Sequence, residues 1–516
     1  MIKNPVLTGF HPDPSIICVD GTFYIANSTF EYFPGVAISK SNDLANWEAV
    51  KSPLDDLKML NMTGNPKSGG IWAPCLSYCD GYFYLVFTDV KNWAFGPFKD
   101  APNYITKAPS IEGPWSEPVF VNCSGFDPSL FHDDDGRKYL VNMEWDYRKE
   151  GKYQFSGILL TELDSKTLKP ISEPVKIFNG TELGLVEGPH LYKRNGYYYL
   201  ITAEGGTTYE HAVTVARSKN IFGPYEVHPS THLVTSRFDE NAYIKKAGHG
   251  SLCQGPDGRW FIAFLCGRPV DENKRCPLGR ETAISEVVWI DDWPYLKNGG
   301  LTPPVEFEGY GEKVEKRVFE YKFDEYNFKL DFMSLRVPAK HEILDDGRLR
   351  LYGGQSPMSN HYQNILVRRQ TDFRFEAETC LEFNFNHFQK MAGLIYRYDE
   401  LNQYILRLSY DEEKGKCLGI LVLNNGEFSM PIEEIPVGEG KIYLKLIVKD
   451  KVGRFLYAKE ENNWVEIPYD IDVTILSDEY ANPLGFTGAF VGMSCIDMKD
   501  YSAFADFYYF KYKILD

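Results

Sequence analysis

The chain lacks the local patterns that announce metal or nucleotide chemistry. It has no HExxH-type histidine–carboxylate signature, no P-loop and no Rossmann turn. Its ten cysteines, spread from Cys18 to Cys495, form no CxxC pair and no zinc spacing, so buried reduced thiols are expected. No run of about 18 apolar residues occurs, which leaves no membrane-spanning helix to expect. The segment Met1–Leu7 has no apolar core and Pro12 follows soon after, so no signal peptide is expected and the expected compartment is the cytoplasm. Sequons such as Asn27-Ser28-Thr29 then carry no glycan meaning. Positive charge is also short. The 55 Lys and Arg against 72 Asp and Glu leave a net charge of −17, which argues against nucleic acid or an anionic membrane as partner. A neutral substrate stays open. Helix signals are weak throughout.

Aromatic residues, by contrast, make up 15% of the chain, within a 43% hydrophobic and 25% charged composition. Such ring content suits pleated, half-buried strands, and rings also cover the C–H faces of sugars. A length of 516 residues exceeds one ordinary core and predicts two domains. Five segments recur along the first part: Asp13-Pro14-Ser15, Trp72-Ala73-Pro74, Asp127-Pro128-Ser129, Glu187-Gly188-Pro189 and His249-Gly250-Ser251. Each leads into a glycine-aromatic strand, at Gly21, Gly81, Gly136, Gly196 and Gly258, so the unit repeats about every 60 residues. Most units carry a second signature, as in Ile111-Glu112-Gly113-Pro114-Trp115 and Ile221-Phe222-Gly223-Pro224-Tyr225. A unit of that length holds four strands, one propeller blade, and five units predict a five-bladed β-propeller. A β-meander or β-helix has no cause to hold the period five times. The pattern fades between Asp291 and Val318 and reads there as a linker. Beyond it, non-repeating alternating strands such as Gly393–Arg397 and Ile442–Val448 predict a β-sandwich, jelly-roll-like. The fold class expected is all-β, with a propeller over 1–300, a linker over 301–317 and a sandwich over 318–516.

Equivalent positions of a radial repeat lie at one height around an axis. Asp13, Asp127 and Glu187 are therefore expected to converge, with Trp72 and His249 beside them. Singly, an Asp-Pro-Ser segment reads as a turn, a tryptophan as core and a histidine as structural. Their shared register is what suggests a site. Proline fixes the backbone directly after Asp13 and after Asp127. The apolar neighbours of Glu187 and the charge of Asp127 should raise its pKa, leaving Asp13 ionised. Carboxyls in opposed protonation states across a sugar pocket describe a glycoside hydrolase. Arg280 could bind sugar hydroxyls and hold a carboxylate ionised, or form only a surface ion pair. No cofactor is required. The one ion to consider is a divalent cation such as calcium near His249, held with waters on the axis.

These residues also carry a resemblance. The stretches Asn4–Ser15, Ser28–Gly35, Gly70–Pro74, Phe126–Ser129, Val186–Pro189, Ala247–Ser251, Cys276–Glu281, Phe486–Met493 and Ala505–Phe507 closely resemble glycoside hydrolase family 43 β-xylosidases. The resemblance spans the chain and implies an N-terminal five-bladed propeller with a C-terminal sandwich. It implies inversion, with Asp13 as general base, Glu187 as general acid and Asp127 tuning and orienting Glu187. It further implies sugar contacts from Phe30, Trp72, His249 and Arg280, a lid residue in Phe507, and a dimer or tetramer. The implied substrate is a short xylo-oligosaccharide cut from its non-reducing end. An α-L-arabinofuranosidase (alone or bifunctional), a retaining fructan hydrolase and a non-catalytic sugar-binding propeller are the alternatives. Two departures stand out: Tyr32 where tryptophan is expected, and Asn179-Gly180-Thr181 ahead of Glu187. Both bear on preference for the sugar beyond the scissile bond.

Overall fold

The computed structural model describes residues 1–323 and 326–516. Five four-stranded antiparallel sheets account for most of the first 300 residues. Their first strands are Ser15–Val19, Gly70–Cys79, Ser129–His132, Glu187–Arg194 and Lys245–Gln254, and each packs against the first strands of its two neighbours in a closed ring. This is the five-bladed propeller.

The glycine-aromatic signature marks the hairpin between the first and second strand of each blade. Asp20-Gly21, Asp80-Gly81 and Asn195-Gly196 hold both residues at positive φ, at 49° and 81°, 52° and 78°, and 50° and 77°. Two-residue hairpins need that conformation because its twist matches the strands, and Asp, Asn and Gly reach it most cheaply. The aromatic residues after each turn alternate inward. Tyr139, Val141 and Met143 pack into one inter-blade core, Ile262 and Phe264 into another.

The ring is closed without a shared blade. Asn4 Nδ2 donates to the Ile284 carbonyl at 2.8 Å, and the Ile284 amide donates to Asn4 Oδ1 at 2.9 Å. The amides of Val6 and Thr282 extend the contact by bonding Thr282 O and Leu7 O at 2.9 and 3.1 Å. The N-terminal segment is thereby stitched to the third strand of blade five, Glu281–Ile290.

The expected linker is partly ordered structure. Trp293–Leu296 is the outer strand of blade five, with Pro294 on an edge that tolerates its missing donor. Glu306–Phe307 pairs with Ile2–Lys3. The division into compact units is also discontinuous. One unit is Met1–Phe30, Gly35–Arg268 and Arg280–Val314; the other is Glu31–Pro34, Pro269–Gly279 and Glu315–Asp516. The cause is local pairing: Tyr32–Phe33 forms a ladder with Ser334–Leu335, and the Tyr32 ring stacks on Phe490 at 3.9 Å. Tyr32 is wholly buried there, so this departure from the expected tryptophan cannot meet a sugar directly.

The second unit is a sandwich. One sheet centres on Arg374–Phe383 and Phe504–Ile514, the other on Lys390–Arg397, Gln403–Asp411 and Phe490–Asp497. Their facing side chains, among them Phe375, Leu394, Leu406, Val491 and Phe510, form one continuous core. Among the described residues the only α-helix is the short Tyr326–Asp331. Seven of the ten cysteines are buried, and Cys123 alone is exposed.

Gly125, just ahead of Asp127, allows close backbone passage: a Cβ there would lie 1.8 Å from the Met143 carbonyl oxygen. We expect Gly125→Ala to lower stability by about 1–3 kcal/mol, the usual cost of overpacking, read as a lower urea midpoint at unchanged slope.

Candidate active site

The five recurrent segments enter their strands through one backbone device. Asp13, Ala73, Asp127, Gly188 and His249 all sit at positive φ, between 34° and 56°. Two residues later Ser15, Cys75, Ser129, His190 and Ser251 lie in regular pairing with Ala26, Val86, Val141, Ile201 and Ala263. The structural register is therefore Asp13–Ala73–Asp127–Gly188–His249. Trp72 and Glu187 stand one residue earlier than the expected alignment placed them. The reason is a bulge: pairing slips between Trp72 and Cys75 and between Glu187 and His190. Aspartate tolerates the left-handed position at 13 and 127. Glycine is required at 188, where a Cβ would come within 2.9 Å of the His249 ring.

Asp13 is nearly dry, at 6% exposed. Its Oδ1 accepts from Arg280 Nη1 at 3.0 Å and lies 3.8 Å from His249 Nδ1. Its Oδ2 accepts from the Ser28 hydroxyl at 2.7 Å. Burial pushes the carboxyl up, but Arg280, His249 and Ser28 more than offset it and hold Asp13 below the usual range. Arg280 is thus no surface residue. It is 3% exposed, also donates to Thr207 Oγ1 at 3.0 Å, and lies 5.1 Å over the Phe30 ring.

The other two carboxyls move the opposite way. Burial lifts Glu187 to about 8, and the Asp13 charge adds to it, while Arg280 and Lys99 pull back. Burial also raises Asp127, reinforced by Glu187 and then Asp13. Asp127 Oδ2 accepts the Gly188 amide at 3.0 Å, a bond that favours its ionised form. The two carboxyls are coupled, and burial holds the pair above the ordinary carboxylate range. The Asp127–Gly188 bond also holds the peptide that follows Glu187, and so fixes where that side chain starts.

Aromatic rings run beside these groups. Phe10, Phe30, Trp72 and Phe126 follow one another at centroid spacings of 5.8, 5.8 and 5.3 Å. Trp72 Nε1 is tied to Ser68 O at 2.9 Å, which fixes the ring plane. His249 is buried, and burial holds it below its normal pKa while Asp13 pulls the other way. No group of three or more His, Cys, Asp or Glu placed to hold a metal occurs among the described residues.

Phe507 is a correction. It is fully buried, pairs with Leu349 and Leu381, and belongs to the sandwich core with Ala505, Phe510 and Tyr512. A ring packed between two sheets is not free to wall a pocket.

Several participants carry no sequence signal. Ser28 bridges Asp13 and the Ala73 amide, each at 2.7 Å. Lys99 sits 4.4 Å from the Trp145 ring and 5.9 Å from the Trp72 ring; burial lowers it to about 8, against the pull of Glu187. Glu204 anchors the loop before Glu187 by accepting the Thr181 amide at 2.6 Å and the Thr214 hydroxyl at 3.0 Å. That anchor places the Asn179-Gly180-Thr181 departure against the strand that pairs with Glu187.

A propeller whose centre holds one ionised and one protonated carboxyl beside sugar-sized rings is the equipment of a glycoside hydrolase. Residues 2–294 match Glycosyl hydrolases family 43, and residues 320–513 match the Beta xylosidase C-terminal Concanavalin A-like domain. The chain is 47% identical to Xylosidase/arabinosidase 43B of Humicola insolens, covering 99% of this chain and 97% of that protein. It is 43% identical to Beta-xylosidase of Bacillus subtilis, covering 99% of each. The solved structure of xylan beta-1,4-xylosidase from Bacillus halodurans superposes with a TM-score of 0.96 at 48% identity, over 99% of this chain and 100% of that one. The chain belongs to glycoside hydrolase family 43.

Ser28→Ala removes a donor from Asp13 and leaves the Ala73 amide unpaired. It should cost about 1–3 kcal/mol of stability by denaturant unfolding. Because the lost bond favoured the ionised carboxyl, the acid limb of the pH–activity profile should move to higher pH.

Proposed function

We propose that this enzyme releases xylose from the non-reducing end of β-1,4-xylo-oligosaccharides with inversion of configuration. The observation that carries the reading is the arrangement of the buried carboxyls: Asp13 is bonded to Arg280 and Ser28, which favours its ionised form, while Asp127 holds the amide that follows Glu187. Asp13 takes a proton from water as that water attacks the anomeric carbon. Glu187 gives its proton to the departing glycosidic oxygen. Inverting enzymes separate these carboxyls by about 6.5–9.5 Å to admit the water. Asp127 is coupled to Glu187, so the pair gives up its last proton late, and Asp127 aims Glu187 through the Gly188 amide. Trp72 and Phe30 offer ring faces to the sugar, and Arg280 and His249 offer polar edges to its hydroxyls. The proton transfers run between Asp13, water, the sugar and Glu187, so chelation with EDTA should leave the rate unchanged; a loss restored by calcium would instead point to a divalent cation near His249. Xylose is the favoured sugar because relatives at 43–48% identity over nearly the whole chain are named as xylosidases.

A second reading is supported by one observation: the Humicola relative is named for both xylosidase and arabinosidase activity. Rates on the p-nitrophenyl glycosides of β-xylopyranose and α-L-arabinofuranose separate the two.

Asp13→Asn and Glu187→Gln preserve shape and should each reduce kcat on xylobiose by at least about 10²–10⁴-fold with the fold intact. Glu187→Gln should lose less on a p-nitrophenyl xyloside, whose leaving group needs little protonation. Proton NMR of the first-formed xylose should show the α anomer; the β anomer would overturn inversion.

The pH profile of kcat/KM should fall above about 8, as Glu187 loses its proton, and at the acid end only below the ordinary carboxylate range, as Asp13 gains one. In Asp127→Asn the coupled pair loses one carboxyl, so its upper titration step falls and the basic limb should shift to lower pH. A limb that stays in place would remove Asp127 from its tuning role.

A further inference from the structure

Blade four holds a buried carboxylate that the proton transfers do not use. Glu204 ends the second strand of that blade, Tyr197–Glu204, and is wholly buried. Three donors converge on it. The Thr181 amide bonds Oε1 at 2.6 Å, while the hydroxyls of Thr181 and Thr214 both bond Oε2, the second at 3.0 Å. Behind Thr214 stands His232, with Nδ1 3.0 Å from the same hydroxyl. The Thr214 proton goes to Glu204, so His232 Nδ1 is the donor in that contact and the relay ends on the carboxylate. Burial raises the Glu204 carboxyl, and the bonds from Thr181 and then Thr214 pull it back. A carboxylate so dry is costly to keep, and what its donors belong to shows what it holds.

Thr181 opens the loop that delivers Glu187. Gly180, Gly184 and Leu185 of this loop all sit at positive φ, at 80°, 75° and 54°. A leucine keeps that conformation only where its surroundings impose it. They do so from the second strand at two points. Glu204 grips Thr181, and the next amide along, Gly205 N, donates to Gly184 O at 2.9 Å. Inside the loop the amides of Gly184 and Leu183 donate to Thr181 O and Oγ1 at 3.2 and 3.3 Å. Thr181 is therefore the node through which Glu204 reaches the residues just ahead of Glu187. Gly180 fits between the two: a Cβ there would lie 2.9 Å from both Glu204 Oε1 and Val186 Cβ.

Glu187 depends on such support. It pairs with Ala203, but the ladder then slips until His190 meets Ile201, so its own strand holds it weakly. Asp127 fixes the peptide that follows it, through the Gly188 amide. The loop from Thr181 fixes the chain that precedes it. We propose that Glu204 is a positioning residue for the reaction: through Thr181 it sets the approach of the chain to Glu187, and so aims the acid at the departing glycosidic oxygen. The proposal rests on the acid role of Glu187 given under Proposed function.

Dependence on the leaving group tests it. Glu204→Ala removes the anchor and leaves Asp13 and Arg280 untouched. A misaimed acid should lower kcat on xylobiose by about 10- to 100-fold, with KM within about twofold of the parent. The loss on p-nitrophenyl xyloside, whose leaving group needs little protonation, should stay within about threefold. Glu204→Gln keeps an acceptor for the Thr181 amide and should restore most of the xylobiose rate. Because Glu204→Ala also empties a buried place, Thr181→Val is the second variant. It keeps the amide, deletes the hydroxyl, and should show the same split at smaller size. Equal losses on the two substrates in folded protein, or no loss on either, would overturn the proposal. So would a Glu204→Gln protein as slow on xylobiose as Glu204→Ala. Full xylobiose turnover by Glu187→Gln would instead strike the acid assignment itself, a result read on a different variant.

Discussion

The buried ion pair between Asp13 and Arg280 is the contact on which the catalytic half depends. It joins the first blade to the last across 267 positions of sequence, beside the Asn4–Ile284 bonds that close the ring. Each member alone would be costly in so dry a place, and each makes the other tolerable. The pair also leaves one fixed negative charge at the centre. That charge helps hold Glu187 and Asp127 above the carboxylate range, so one interaction serves closure and proton placement together.

A second constraint is the left-handed residue at the entrance of every first strand. It kinks the chain as it leaves the centre, and five such kinks bring five side chains or amides to one level. Two blades use the position for a carboxylate and one for an imidazole. The remaining two use it for Ala73 and Gly188, whose amides bond Ser28 and Asp127. In those two blades the functional side chain comes from the preceding residue, so the repeat supplies both the acids and the donors that fix them.

Much of this was legible along the chain. The hairpin glycines set the blade count because Asp-Gly and Asn-Gly turns are local and need no partner. Asp13 and Asp127 could be placed in register because both precede proline and serine in the same order. Glu187 and Trp72 stand one residue off the common register because a bulge changes register without changing composition. Trp293–Leu296 reads as linker because an edge strand with a proline looks like a loop until its ladder is seen. Phe507 reads as a lid because its neighbours resemble a family motif; strand alternation and a bulge in its own sheet turn it inward.

Sequence by itself determined what is carried by neighbours along the chain: an all-β fold, a five-fold repeat, two domains, and three acids in a common setting. These follow from turn chemistry and period, which act over a few residues. Only the tertiary structure decided which acid is ionised, because that depends on Arg280, Ser28 and His249 arriving from distant strands. It alone revealed the bulges that displace Trp72 and Glu187, because a ladder register exists only once both strands have been placed. Protonation and register are properties of a filled environment, and no stretch of chain contains its environment.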